Sequence, residues 1–285
     1  MLAPLQLPLT HSKFKMAEEI PVFPNVGSIL INTGNIVNWN RLKRKPSRQS
    51  KDELVECLNV SISDWIVGID KTEAQYMNDL EIISKRVEAE KLTPEEREQL
   101  KITVKIFMGS LDPTALSDAV SRAMSDLGTT FIETVLVSFP EKLGEDLESI
   151  KPLWNRLEDF HADDTVYGIG VCDMSKDLLE QLYDWAKVKP CINQVNLESC
   201  CVMPPELTEY AKENDVQLLT HNDPREILSI ETLQDVIRGQ TTEDDAQLWQ
   251  PSWVLRYSAM VKCRGIIKTK GYITKATRDI KKKKL

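Results

Sequence analysis

From residue 100 onward the sequence keeps switching between short apolar runs and amphipathic stretches of helical period. That switching restricts it to folds made of strand–helix units. The run 102–108 reads as a buried strand. Asp112-Pro113 opens a helix whose apolar positions, Leu116, Ala119, Val120, Ala123, Met124 and Leu127, fall at helical spacing, and Gly128 ends it. The strand 131–139 follows, closed by Pro140. The alternation then continues through a helix with Ile150, Leu153, Trp154, Leu157 and Phe160, a strand at 166–172, a helix capped by Ser175, and a strand at 192–197. A helix opened by Pro205, a strand at 216–220 and a less regular helix through Ile227, Leu233 and Ile237 come next. A last helix is expected over 248–261, interrupted by Pro251, and Gly265-Ile266-Ile267 begins a final strand.

Repeated βαβ units imply a parallel sheet with right-handed crossovers. The expected class is α/β, a (β/α)8 TIM barrel, for which 285 residues is an ordinary length. The run Ser28-Ile29-Leu30-Ile31 supplies a first strand and Leu80 to Ile83 a second. The charged stretch 84–101 reads as a solvated helix, with Thr93-Pro94-Glu95-Glu96 as a capping box. Little chain follows the last strand, so the eighth helix is short, absent or replaced, giving a shortened or atypical C-terminal end. Residues 1–24 read as a flexible lead-in, with Met16 as a second candidate start, 25–275 as the barrel, and 276–285 as a basic tail.

The formal net charge is −8, so no global basic field favours nucleic acid. The basic runs 41–45 and 281–284 read as solvated surface. No apolar stretch is long enough to span a membrane, and residues 1–24 lack the apolar core of a signal peptide. The expected location is therefore cytoplasmic, with thiols reduced. The six cysteines form no C-x-x-C pair and no zinc spacing, so no metal site is expected. Cys57, Cys172 and Cys263 read as small buried hydrophobes.

Four segments carry a family resemblance. Residues 116–128 followed by Phe131-Ile-Glu-Thr-Val-Leu-Val-Ser-Phe-Pro140 resemble the helix and fourth strand of the aldo-keto reductases. Tyr167-Gly-Ile-Gly-Val-Cys-Asp173, Lys189-Pro-Cys-Ile-Asn-Gln-Val-Asn196 and Arg264-Gly-Ile-Ile-Lys-Thr-Lys270 resemble the fifth, sixth and eighth strands. The blocks 193–205, 218–224, 33–39 and 255–272 further resemble the modifier-subunit family of glutamate–cysteine ligase.

The first resemblance implies a reductase tetrad of Tyr, Lys, Asp and His. Lys105 falls where that family's lysine falls, and Ser138 stands at its histidine position. The family's Asp-Thr-Ala and Tyr-Gly motif is missing, and Tyr76 is the one tyrosine in that region, in an unrelated context. Reductase activity is therefore not expected, and Lys105 and Ser138 are vestigial positions. Gln194, His221 and Lys270 match positions of the family's cofactor pocket. Dinucleotide binding as a sensor ligand is one reading of them. The favoured reading is that no cofactor binds, that Gln194 satisfies backbone groups and that Lys270 is simply exposed. His221 reads as a hydrogen-bonding residue of a strand-end loop.

The second resemblance implies a regulator rather than an enzyme. It implies a heterodimer with the glutamate–cysteine ligase catalytic subunit, better use of glutamate and relief of glutathione feedback inhibition. Rim loops at the C-terminal ends of the strands are the expected interface. Adjacent Cys200 and Cys201 are candidates for an intersubunit disulfide or redox role, or else for a structural role in a loop whose exit Pro204-Pro205 fixes. The alternative function is an NADPH-dependent aldo-keto reductase or an NADPH-binding sensor.

Overall fold

A computed structural model describes residues 26–39, 49–70, 72, 76, 79–83, 92–140, 143–197 and 202–279. Two N-terminal strands, β1 (Ser28–Asn32) and β2 (Leu80–Ile83), flank helix α1 (Ser50–Gly68). The strand–helix alternation expected from residue 100 follows. It runs α2 (Pro94–Glu98), β3 (Leu100–Met108), α3 (Pro113–Leu127), β4 (Ile132–Ser138), α4 (Leu147–Ala162), β5 (Val166–Cys172), α5 (Lys176–Trp185), β6 (Ile192–Asn196), α6 (Pro205–Glu213) and β7 (Gln217–His221). The chain then forms α7 (Ile230–Arg238), α8 (Glu243–Ala246), β8 (Trp249–Val261) and β9 (Ile266–Arg278).

The local signals explain the boundaries. Thr93 and Glu96 form the reciprocal capping box at α2, at 3.3 and 3.1 Å. Asp112 caps α3 through the Thr114 N–H at 2.8 Å, and Gly128 ends that helix at φ 63°, the left-handed conformation glycine tolerates best. The helix expected over 84–101 is shorter among the described residues: Leu100 and Lys101 already belong to β3, because one face of that strand is apolar.

The helix expected over 248–261 is a strand. β8 lies between β3 and β9 and pairs antiparallel with both. It buries Trp253, Leu255, Tyr257 and Ala259 on one face and Val254 on the other, so the period of two is masked over Trp253–Leu255 but plain from Leu255 to Ala259. Pro251, which lacks an N–H, sits at a register irregularity of the ladder. β9 continues through Arg278, three residues into the stretch read as a tail.

The sheet order is β2-β1-β9-β8-β3-β4-β5-β6-β7. Strands β3 to β7 are parallel and in sequence order, and β1 and β2 are parallel to each other. The β8–β9 hairpin stands between the two groups. The molecule is thus a TIM-barrel-like α/β fold whose C-terminal end departs from the (β/α)8 pattern through an antiparallel insert.

Alternate residues of β3 face opposite sides. Leu100, Ile102, Val104, Ile106 and Met108 pack under α3 and α4 with Leu116, Val120, Leu153, Trp154 and Leu157. Each fully buried residue of this size contributes about 1.5–3 kcal/mol by leaving water. The opposite, concave face carries Lys105 and Phe107. A second core closes that face near the hairpin, where α1 and α7 bring Leu54, Leu58, Ile62, Leu233 and Ile237 against Ile29, Ile31, Phe107, Val254 and Tyr272.

Candidate functional site

Lys105 points into the concave face with 3% of its side chain exposed. Its Nζ donates to Gln194 Oε1 at 2.9 Å and ion-pairs with Asp223 Oδ2 at 2.8 Å. Adjacent strands lie about 4.8 Å apart, so β3 and β7 would stand roughly 19 Å apart across a flat sheet. A lysine cannot span that distance. Its contact with Asp223, just past β7, requires the sheet to curl around the site.

Arg256 of β8 completes the centre by forking both carboxylate oxygens of Asp223, the second at 2.7 Å. His221 Nδ1 accepts the Asp223 backbone N–H at 3.1 Å, which leaves Nε2 to donate to Asp173 Oδ1 at 3.1 Å. Asp173 holds a positive φ of 55° at the end of β5, and its Oδ1 also accepts the Asn196 N–H at 2.7 Å. The network continues through Arg256 to Tyr272, its register partner on β9. The Tyr272 hydroxyl donates to Glu53 Oε1 of α1 at 2.7 Å, and Lys270 Nζ meets the same oxygen at 2.5 Å.

Burial is the largest influence on Asp223 and pushes its pKa up. The bonds and charges of Arg256 and Lys105 outweigh it and hold the carboxyl well below the usual range. Asp173 follows the same pattern, with burial opposed by His221 and the Asn196 N–H, and its pKa is lowered. Burial pushes the Cys172 thiol up to about 12, against the pull of Lys105. Burial and then the Glu53 carboxylate push the Tyr272 phenol up as well, past the opposing effect of Arg256.

Two cavities open at the C-terminal rim. One of about 190 Å³ is lined by Ser138, Glu145, Cys172, Asp173, Ser175 and Arg225, among others. One of about 560 Å³ lies between the end of β3 and the start of β8, bordered by Phe107, Asp112, Arg225, Ile227, Pro251 and Val254. Arg225 lines both.

A model of the aldo/keto reductase family matches residues 40–223. The glutamate–cysteine ligase regulatory subunit of Rattus norvegicus is 41% identical over 252 residues, covering 87% of this chain and 92% of that protein. This chain belongs to the glutamate–cysteine ligase regulatory subunit family, within the aldo/keto reductases. The Homo sapiens regulatory subunit is 40% identical over the same shares of both chains. The Arabidopsis thaliana protein aldo-keto reductase family 4 member C11 is 29% identical over 43% of this chain and 42% of its own length.

Four of the sequence-derived positions lie along one network. Lys105, Gln194 and His221 meet directly or through Asp223, and Lys270 joins by way of Glu53 and Tyr272. Ser138 sits apart, 6% exposed at the end of β4 and facing the smaller cavity. Gln194 turns its side chain to Lys105 rather than to backbone groups, and Lys270 is ion-paired and only 27% exposed, so neither fits the simpler reading from sequence. Cys57 and Cys172 are buried, but Cys263 is exposed because it sits in the turn between β8 and β9. Tyr76 is 81% exposed. Cys200, Cys201, residues 1–24 and the basic runs 41–45 and 281–284 lie outside the described residues.

Sequence reasoning missed Asp223, Arg256, Tyr272 and Glu53. The available signal was Arg256, a charge inside the otherwise apolar run 253–257. A residue like that needs a buried partner. No helix among the described residues is long and apolar enough to cross a membrane, and no group of three or more metal-ligating side chains is found among them.

Proposed function

We propose that this chain is a non-catalytic regulatory subunit of glutamate–cysteine ligase. It binds the catalytic subunit as a heterodimer, improves its use of glutamate and relieves its inhibition by glutathione. The observation that carries this reading is the 41% identity with the rat regulatory subunit over 87% of the chain. The physical requirement on such a partner is differential: it must bind the active conformation of the catalytic subunit more tightly than the inhibited one. A coupling of about 1–3 kcal/mol corresponds to 5- to 150-fold changes in apparent affinity. The rim loops at the C-terminal strand ends are the proposed contact surface.

The concave face supports a chain that does no reductase chemistry. A carbonyl reductase needs a proton donor whose pKa is lowered by a neighbouring cation. Here the partners of Lys105 are Gln194 and Asp223, and the buried tyrosine of the network, Tyr272, titrates above its ordinary range. We also infer that the chain works without a nicotinamide cofactor. Gln194, His221 and Lys270 are each engaged by protein groups.

The test is ligase activity of the cognate catalytic subunit with and without this chain, across glutamate and glutathione concentrations. A lower apparent KM for glutamate and weaker glutathione inhibition are expected. Unchanged kinetics together with no complex on gel filtration would overturn the assignment. Turnover of a carbonyl substrate with NADPH would restore the reductase alternative.

A further inference from the structure

The smaller rim cavity is lined by groups of both charge signs: Glu145 and Arg225, which the network above does not use, and Asp173, which that network holds through one oxygen only. Ser138 is 94% buried on a strand end, lines the cavity, and its hydroxyl makes no hydrogen bond among the described residues. That hydroxyl is open to the cavity rather than sealed in the core, so a ligand there can bond to it as donor or acceptor. Asp173 uses Oδ1 for His221 and Asn196, while its Oδ2 has no hydrogen bond among the described residues. Glu145 adds a second carboxylate at the rim, also without an ion-pair partner among the described residues.

The positive side is supplied by Arg225 and by α5. Arg225 is exposed, borders the cavity and has no carboxylate or hydrogen-bond partner among the described residues. Ser175 and Leu178, the cap and first turn of the ten-residue helix α5, line the wall between them. A helix start carries partial positive charge and favours a carboxylate nearby. Phe139, Pro140, Met174 and Leu178 form the apolar remainder.

We propose that this cavity binds a free α-amino acid as its zwitterion. The ammonium group lies toward Asp173 and Glu145, the carboxylate toward Arg225 and the start of α5, and Ser138 hydrogen-bonds one of the two. A volume of about 190 Å³ holds roughly six waters' worth of ligand. That suits a small amino acid. A simple anion would be repelled by the two carboxylates, and a simple amine would leave Arg225 without a counter-charge, whereas a zwitterion offers a partner to both signs. This inference goes beyond the regulatory reading and does not rest on it, because it concerns the free chain.

Isothermal titration of the full-length chain with glycine, L-cysteine and L-glutamate tests it, with acetate and methylammonium as half-ligands. One-to-one saturable binding of at least one amino acid is expected, with the half-ligands at least about tenfold weaker. Arg225→Ala, a surface change that leaves the core intact, is expected to weaken binding about tenfold, and Ser138→Ala severalfold. No saturable heat with any of the three amino acids up to about 10 mM would overturn the proposal. Unchanged binding in both variants, or acetate binding as tightly as the amino acids, would overturn it equally.

Discussion

Lys105 and Asp223 stand 118 positions apart in sequence and 2.8 Å apart in space, with 3% and 1% of their side chains exposed. Arg256 holds the other side of the same carboxylate, so one anion compensates two cations at the centre of the fold. Removing the anion strands both cations, whereas removing Lys105 leaves the Asp223–Arg256 fork intact. Asp223→Ala is therefore expected to destabilise the chain by about 3–5 kcal/mol, and Lys105→Met by less than half as much. Urea denaturation of both variants measures the asymmetry. Equal losses would mean that Arg256 does not share the carboxylate.

The lowered pKa values of Asp223 and Asp173 give a signed pH dependence. Unfolded aspartate titrates near 3.9, above both folded values. Between the folded and unfolded values the unfolded chain holds more protons, so stability there rises with pH. The contribution is fully present above about pH 5 and fades as pH falls toward the folded values. Denaturation midpoints from pH 3 to 7 should fall on the acid side, and Asp173→Asn should make that fall shallower. An identical acid slope in the variant would place the linkage elsewhere.

Gly271 leaves room for a close backbone approach. A Cβ at this position would lie 2.3 Å from the Gly34 carbonyl oxygen and 2.4 Å from the Tyr257 hydroxyl. The carbonyl is backbone and cannot turn away as a flexible side chain would. Gly271→Ala is expected to cost about 1–3 kcal/mol by forcing β9 from the 33–36 segment. Thermal unfolding checks it, with Gly239→Ala, where a Cβ meets nothing within 4 Å, as the tolerated comparison.

Thiol labelling distinguishes the cysteines by access. Cys172 is buried and its pKa is pushed up to about 12, and Cys57 is buried in the second core. Cys263 is exposed. Brief alkylation of the folded chain at neutral pH should mark Cys263 and spare Cys57 and Cys172, as read by peptide mass spectrometry. Early labelling of Cys172 would show that the cavity wall opens.

The sequence revealed most where a residue's role is local. The capping box at Thr93, the cap at Asp112 and the glycine stop at Gly128 each depend on neighbours a few positions away. Lys105 could be picked out because it falls where the lysine of the resembled reductase family falls. Asp223 and Arg256 could not be paired from the sequence, because their meeting depends on curling of the sheet. β8 reads as a helix because Pro251 and the apolar run Trp253–Leu255 obscure its period, although Leu255 to Ala259 alternate apolar and polar. The alternation from β3 to β7 was legible because those helices bury one face only.

The β8–β9 hairpin also orders events in time. Thr33 bonds to the Tyr272 carbonyl 239 positions later, and β1 pairs with β9 along its whole length. During synthesis β1 gains β2 early but leaves the ribosome long before its other neighbour, β9, exists, while β4 to β7 find their partners within one strand–helix unit. The β1–β2 pair must therefore wait with one edge of β1 open until the hairpin emerges. Any agent that captures β1 in that interval competes with the closing of the molecule itself.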